Sequence, residues 1–70
     1  MLKNEINFKV YGLDALMATC KTLKKFKYSY TSQEVDGRFE TIFSVLVKRK
    51  DTYKFIKKIK KINPEAIVVG

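Results

Sequence analysis

A two-layer α+β sandwich is the fold this sequence predicts, and three observations predict it. Phe39, Thr41, Phe43, Val45 and Val47 alternate with Glu40, Ile42, Ser44, Leu46 and Lys48, the two-residue period of a strand. The period then lengthens: Tyr53 (or Thr52), Phe55, Ile56, Ile59 and Ile62 recur at helical spacing, and Asn63-Pro64 stops the run. Asp36-Gly37, between two strand-like stretches, is a hairpin signal, because Gly37 accepts the positive φ of a tight turn.

Taken in order, the first strand is Ile6 to Tyr11, with Ile6, Phe8 and Val10 on one face and Asn7, Lys9 and Tyr11 on the other. Gly12 marks a turn. The first helix runs roughly from Asp14 to Lys25. Leu16, Cys20 and Leu23 line its buried stripe, with Met17 and Phe26 as further candidates. Lys21, Lys24 and Lys25 suit the negative end of its dipole. The second strand is Lys27 to Val35, rich in Tyr and Thr. Asp51 sits where a carboxylate caps the second helix, which reaches Ile62. Ala66 to Val69 form a short buried final strand.

The order is therefore βαββαβ. Right-handed crossovers fold it into a four-stranded antiparallel sheet with both helices on one face, the ferredoxin-like sandwich. Strands one and three are expected in the centre and two and four at the edges. The length, 70 residues, fits one domain, residues 1–70. So short a chain leaves much surface unburied, which favours association.

The third strand is apolar on both parities. With Phe39, Phe43, Val45 and Val47 turned to the helices, Ile42, Ser44 and Leu46 point to the open face of the sheet, joined by Lys9 and Tyr11. Ile42, Leu46 and Tyr11 make that face more apolar than an ordinary solvent surface. It is the candidate surface for a second subunit or a small ligand.

Net charge is +8, from 15 basic and 7 acidic residues, which favours an anionic partner: nucleic acid, a phosphorylated small molecule, a membrane surface or an acidic protein. Only Arg38 and Arg49 are arginine, so a Lys-rich solubilising surface stays open as the plainer account. Lys48, Arg49, Lys54, Lys57, Lys58 and Lys61 are the candidate contacts to an acidic partner or to phosphates, on or just before the outer arc of the second helix. That helix spends its apolar stripe on the core, which argues against lying on a membrane.

Catalysis and cofactors are not expected. The chain has no histidine, so Ser-His and Cys-His chemistry is excluded, and zinc lacks its Cys and His cluster. Asp14, Asp36 and Asp51 fall at caps and a turn. Cys20, the single cysteine, reads as a core residue and permits no intrachain disulfide. No phosphate-cradling glycine loop is present. No apolar run is long enough for a membrane span, and residues 1–10 lack a leader's apolar core, so a cytoplasmic protein is expected.

Several resemblances follow from these residues. The βαββαβ order with a helix ending Ile62-Asn63-Pro64 before an apolar strand resembles ACT-type regulatory domains. In that family a glycine near the first helix serves amino-acid binding, and Gly12 is the candidate here. Residues 42–51 and 55–68 are also similar to the C-terminal cytosolic domain of YitT-type membrane proteins, although Tyr30 to Glu34 stand where that domain has a glycine-rich loop. Both resemblances imply a small regulatory or ligand-sensing domain that oligomerises. Phe8 to Leu13 resembles the first-strand motif of RNA-recognition motifs, but Lys9 takes the stacking position and Glu40 would repel phosphates. Likeness to acylphosphatases ends at topology, since no Arg follows the first strand. The expected function is a non-enzymatic regulatory or interaction module that self-associates and binds a partner protein or small ligand. The alternative is nucleic-acid binding through the Lys-rich helix.

Overall fold

The structure, a computed structural model, describes residues 2–69; Met1 and Gly70 lie outside the described residues. The elements are β1 (Lys3–Tyr11), α1 (Leu13–Thr22), β2 (Lys27–Val35), β3 (Arg38–Lys48), a 3₁₀ turn at Arg49–Asp51, α2 (Thr52–Ile62) and β4 (Ile67–Val68). All strand pairings are antiparallel, and the order across the sheet is β2-β3-β1-β4. The fold is ferredoxin-like, with β1 and β3 central as the sequence predicts.

Period-two patterning sets the faces. Ile6, Phe8 and Val10 of β1 and Thr41, Phe43, Val45 and Val47 of β3 are buried, and they pack with Leu23, Phe55 and Ile59 from the helical side. Phe8 lies directly across from Phe43, and their rings stack at 5.2 Å. Phe55 meets Phe8 edge-on at 6.1 Å, and Phe26 meets Phe55 edge-on at 5.2 Å. Offset and edge-to-face rings like these add to plain burial.

The Asp36-Gly37 turn forms as expected. Both residues hold positive φ, 53° and 75°, and Val35 pairs with Arg38 across them. Such a turn matches the twist of the strands it joins. Gly37→Ala is expected to lower stability by about 1 kcal/mol, because a Cβ is strained at this φ although nothing crowds it. Chemical unfolding checks this; an unchanged midpoint would mean the turn tolerates the strain.

Four details differ from the sequence reading. First, α1 ends at Thr22, so Lys24 and Lys25 lie beyond it; Leu23 takes the C-cap and buries its side chain. Met17 is exposed, whereas Thr19 is fully buried. Thr19 faces inward without cost because its hydroxyl donates to the Ala15 carbonyl at 2.7 Å and accepts from Asn63 Nδ2 at 2.9 Å.

Second, Asp51 occupies the N-cap of α2 but makes no side-chain capping bond among the described residues. A 3₁₀ turn leads into the helix instead, and Asp51 itself is helical in conformation. Nearby, Thr52 Oγ1 accepts from Asn4 Nδ2 at 3.1 Å, tying β1 to the helix start. Third, Tyr53 is largely exposed, so the stripe of α2 begins at Phe55. Fourth, β4 is two residues long. Ala66 is buried, but Ile67 and Val69 are exposed, because only one parity of this edge strand meets the core.

Helix length explains what stays uncovered. Ten residues of α1 span about 15 Å, whereas eleven residues of β3 span about 36 Å. The helices therefore roof only part of the sheet, and every residue of β2 is exposed.

Candidate functional site: a basic cleft, an open sheet face and a bare strand edge

Lys9, Tyr11, Ile42, Ser44 and Leu46 share the face of the sheet away from the helices. The register sets Lys9 beside Ile42, Tyr11 beside Glu40, Asn7 beside Ser44 and Glu5 beside Leu46. Polar and apolar positions thus interleave. The Arg38 guanidinium lies 4.0 Å over the Tyr11 ring and forms an exposed ion pair with Glu65 at 3.5 Å. Ser44 donates to Asn7 Oδ1, and Gln33 donates to Glu40 at 2.9 Å. Ile42 is half-buried by these neighbours and Leu46 is the more exposed. Ile67, paired with Lys9 on β4, adds an exposed apolar group that the sequence reading assigned to the core.

The edge of β2 is a second feature. Val35 bonds Arg38 across the two-residue turn, so the backbone groups of residues 27, 29, 31, 33 and 35 face β3. The bond from the Gly12 N–H to the Phe39 carbonyl, which turns Phe39 toward β1, agrees with this alternation. The backbone groups of Tyr28, Tyr30, Ser32 and Glu34 therefore point outward, where no further strand lies among the described residues. Their side chains stand on the helix side. Tyr28 and Tyr30 rest against Phe43, at 6.2 and 5.4 Å between ring centroids, yet both stay open to solvent. Ser32 and the buried Thr41 share a hydroxyl hydrogen bond of 2.9 Å. The Tyr28 phenol is pushed above its usual range, first by interaction with the thiol of Cys20, half-buried on α1, and then by its own partial desolvation.

A third feature is a cleft of 450 Å³ at the end of the sheet where β1 and β2 begin and β3 finishes. Lys3 of β1, Lys25 and Lys27 around the start of β2, Lys48 of β3, and Lys54 and Lys58 of α2 surround it. Its apolar lining comes from Phe26, Leu46, Val47 and Phe55, and Asp51 is its one acid. Of the predicted anion contacts, Lys48, Lys54 and Lys58 meet here. Lys57 and Lys61 lie on the adjoining outer face of α2, in a shallow hollow that also takes in Lys54, Lys58 and Tyr53. Arg49 lies with Lys48 and Lys50 in another shallow hollow. Lys3, Lys25 and Lys27 were missed. Strand register was the signal that could have found Lys3 and Lys27, since it sets Lys3 opposite Lys48 and Lys27 opposite Leu46, whereas Lys25 precedes β2 and has no register.

No helix among the described residues is long and apolar enough to cross a membrane. A scan against family models finds no match for this chain, and searches of curated proteins and of solved structures find none either.

Proposed function

We propose that the protein is a small non-enzymatic interaction module that self-associates by adding the β2 edge of one copy to the β2 edge of another. One observation carries this reading. Four residues of this nine-residue edge strand, Tyr28, Tyr30, Ser32 and Glu34, offer outward N–H and C=O groups, and the run Tyr28 to Gln33 contains no charge in a chain that is 31% charged. Sheet edges are usually protected by Pro, inward charges or bulges; from Tyr28 to Gln33 β2 shows none of these, and its one charge on the helix side is Glu34, next to the turn.

The strand complements itself. Antiparallel pairing centred on Thr31 sets Tyr30 opposite the partner's Ser32 and Tyr28 opposite the partner's Glu34. The outward groups of each copy then meet those of the other, and the helices of both copies stay on the same side. The open face around Lys9, Tyr11, Ile42, Ser44 and Leu46 is the second surface, suited to a small ligand or a protein partner. The resemblance to ACT-type and YitT-type domains supports a regulatory role for such an assembly.

Sedimentation equilibrium over a micromolar concentration series tests the proposal. The wild type is expected to show a monomer–dimer equilibrium that tightens with added salt, because each copy carries a net +8. Tyr30→Pro removes an outward N–H, which an edge strand tolerates, and is expected to weaken the dimer by about tenfold or more while circular dichroism stays native. A wild type that remains monomeric, or a Tyr30→Pro variant that dimerises as tightly, overturns the reading.

A further inference from the structure

We propose that the lysine-ringed cleft is a binding site for single-stranded nucleic acid, with phosphates on the lysines and a base against the apolar floor. The inference does not depend on self-association, since the cleft is formed within one copy.

Three observations carry it. The first is convergence. Six lysines separated in the sequence are gathered around 450 Å³ of space against one acid, Asp51. Among the described residues the ion pair found is Arg38–Glu65, on another part of the surface, so none of their ion pairs neutralises the cleft. The second is an arrangement that works against the fold. Lys3 lies directly opposite Lys48 on neighbouring strands, and like charges so placed destabilise a sheet. An anion held between them reverses the sign of that interaction.

The third observation is the company the lysines keep. Phe26 is half-buried, edge-on to Phe55, and both line the cleft. Lys54 and Lys58 are common to the cleft and to the outer hollow of α2, so the positive surface continues from one to the other. There it reaches Lys57 and Lys61 around Tyr53, a residue 73% exposed with Lys57 Nζ 5.2 Å from its ring centroid. A track of cations interleaved with aromatic rings fits a chain of phosphates carrying flat bases. An acidic peptide would use the charges but leave the rings without a partner. A duplex keeps its bases stacked inside and cannot lay one against a concave floor. Lysine ammonium groups, as mobile point charges, suit a flexible phosphate backbone without demanding bidentate geometry.

Anisotropy of a fluorescein-labelled oligothymidylate of about a dozen nucleotides tests the site. The measurement is made at low salt in the Tyr30→Pro background, so that its outcome is separate from that of assembly. Lys25→Glu/Lys54→Glu changes two cleft residues. Lys21→Glu/Lys24→Glu makes the same change of net charge at residues that do not line the cleft. The cleft pair is expected to weaken binding about thirtyfold and the control pair by less than about threefold, because local phosphate contacts outweigh the general field. Unchanged circular dichroism in both variants separates lost binding from lost folding. In the parent, the logarithm of affinity is expected to fall against the logarithm of salt with a slope of about −4, six phosphates at about −0.7 each. The cleft pair is expected to flatten that slope by about 1.4. Absence of binding, equal losses in the two pairs, or displacement by duplex DNA or polyglutamate as effective as by unlabelled oligothymidylate each overturns the proposal.

Discussion

Phe43→Ala is expected to remove about 3–5 kcal/mol of folding stability, the range for truncating a buried aromatic. Phe43 has no exposed surface, stacks on Phe8, and carries Tyr28 and Tyr30 against its ring. It therefore joins the two central strands and also supports the edge strand. The cavity left by alanine lies where neighbours from three strands meet, and none of them can close it without breaking register. A domain of this length has about 4–10 kcal/mol in total, so the variant is expected to be partly unfolded at room temperature. Urea unfolding followed by circular dichroism measures the loss. A loss below about 1 kcal/mol would show that this ring is not the centre of the core.

Thr19→Val is expected to cost about 1–3 kcal/mol, although the two side chains have nearly the same shape. The hydroxyl of Thr19 is the acceptor for Asn63 Nδ2, and Asn63 is the residue at which α2 ends. Valine leaves that half-buried amide without its acceptor while keeping the volume. The bond is a side-chain link between α1 and the end of α2. Replacing Asn63 as well, in Thr19→Val/Asn63→Leu, removes the unpaired donor, so the double variant is expected to lose less than the two single losses added together. Urea midpoints of the four proteins measure the coupling. Strict additivity would show that the two groups do not interact.

Much of the architecture was legible because its signals are local. Residues 39–47 alternate cleanly, Asp36-Gly37 dictates its turn, and Asn63-Pro64 ends a helix whatever surrounds it. From those the order of elements and the burial of Phe8, Phe43 and Ile59 follow. Boundaries and caps were less legible. The last turn expected of α1 is given up because Leu23 is drawn into the core and the chain then folds back to Phe26. The inward turn of Thr19 depends on Asn63, 44 residues further along, which no local pattern reports. The open face was placed by parity, but its character was not, since the lid of Arg38 on Tyr11 comes from register. The cleft was half visible for the same reason. Lysines close in sequence on α2 stood out, whereas Lys3, Lys25 and Lys27 join them only once three strand ends are brought together.

The sheet order also constrains how the molecule comes into being. β1 precedes β3 and β4 in the chain, yet it lies between them in the sheet, and its inward residues Ile6, Phe8 and Val10 have no sheet to enter until residues 38–48 exist. The β2–β3 hairpin, closed by a two-residue turn, is the strand pairing of shortest sequence separation, which favours its early formation. In synthesis β1 is therefore complete before the strand it pairs with exists, so its apolar side stays uncovered until residues 38–48 follow.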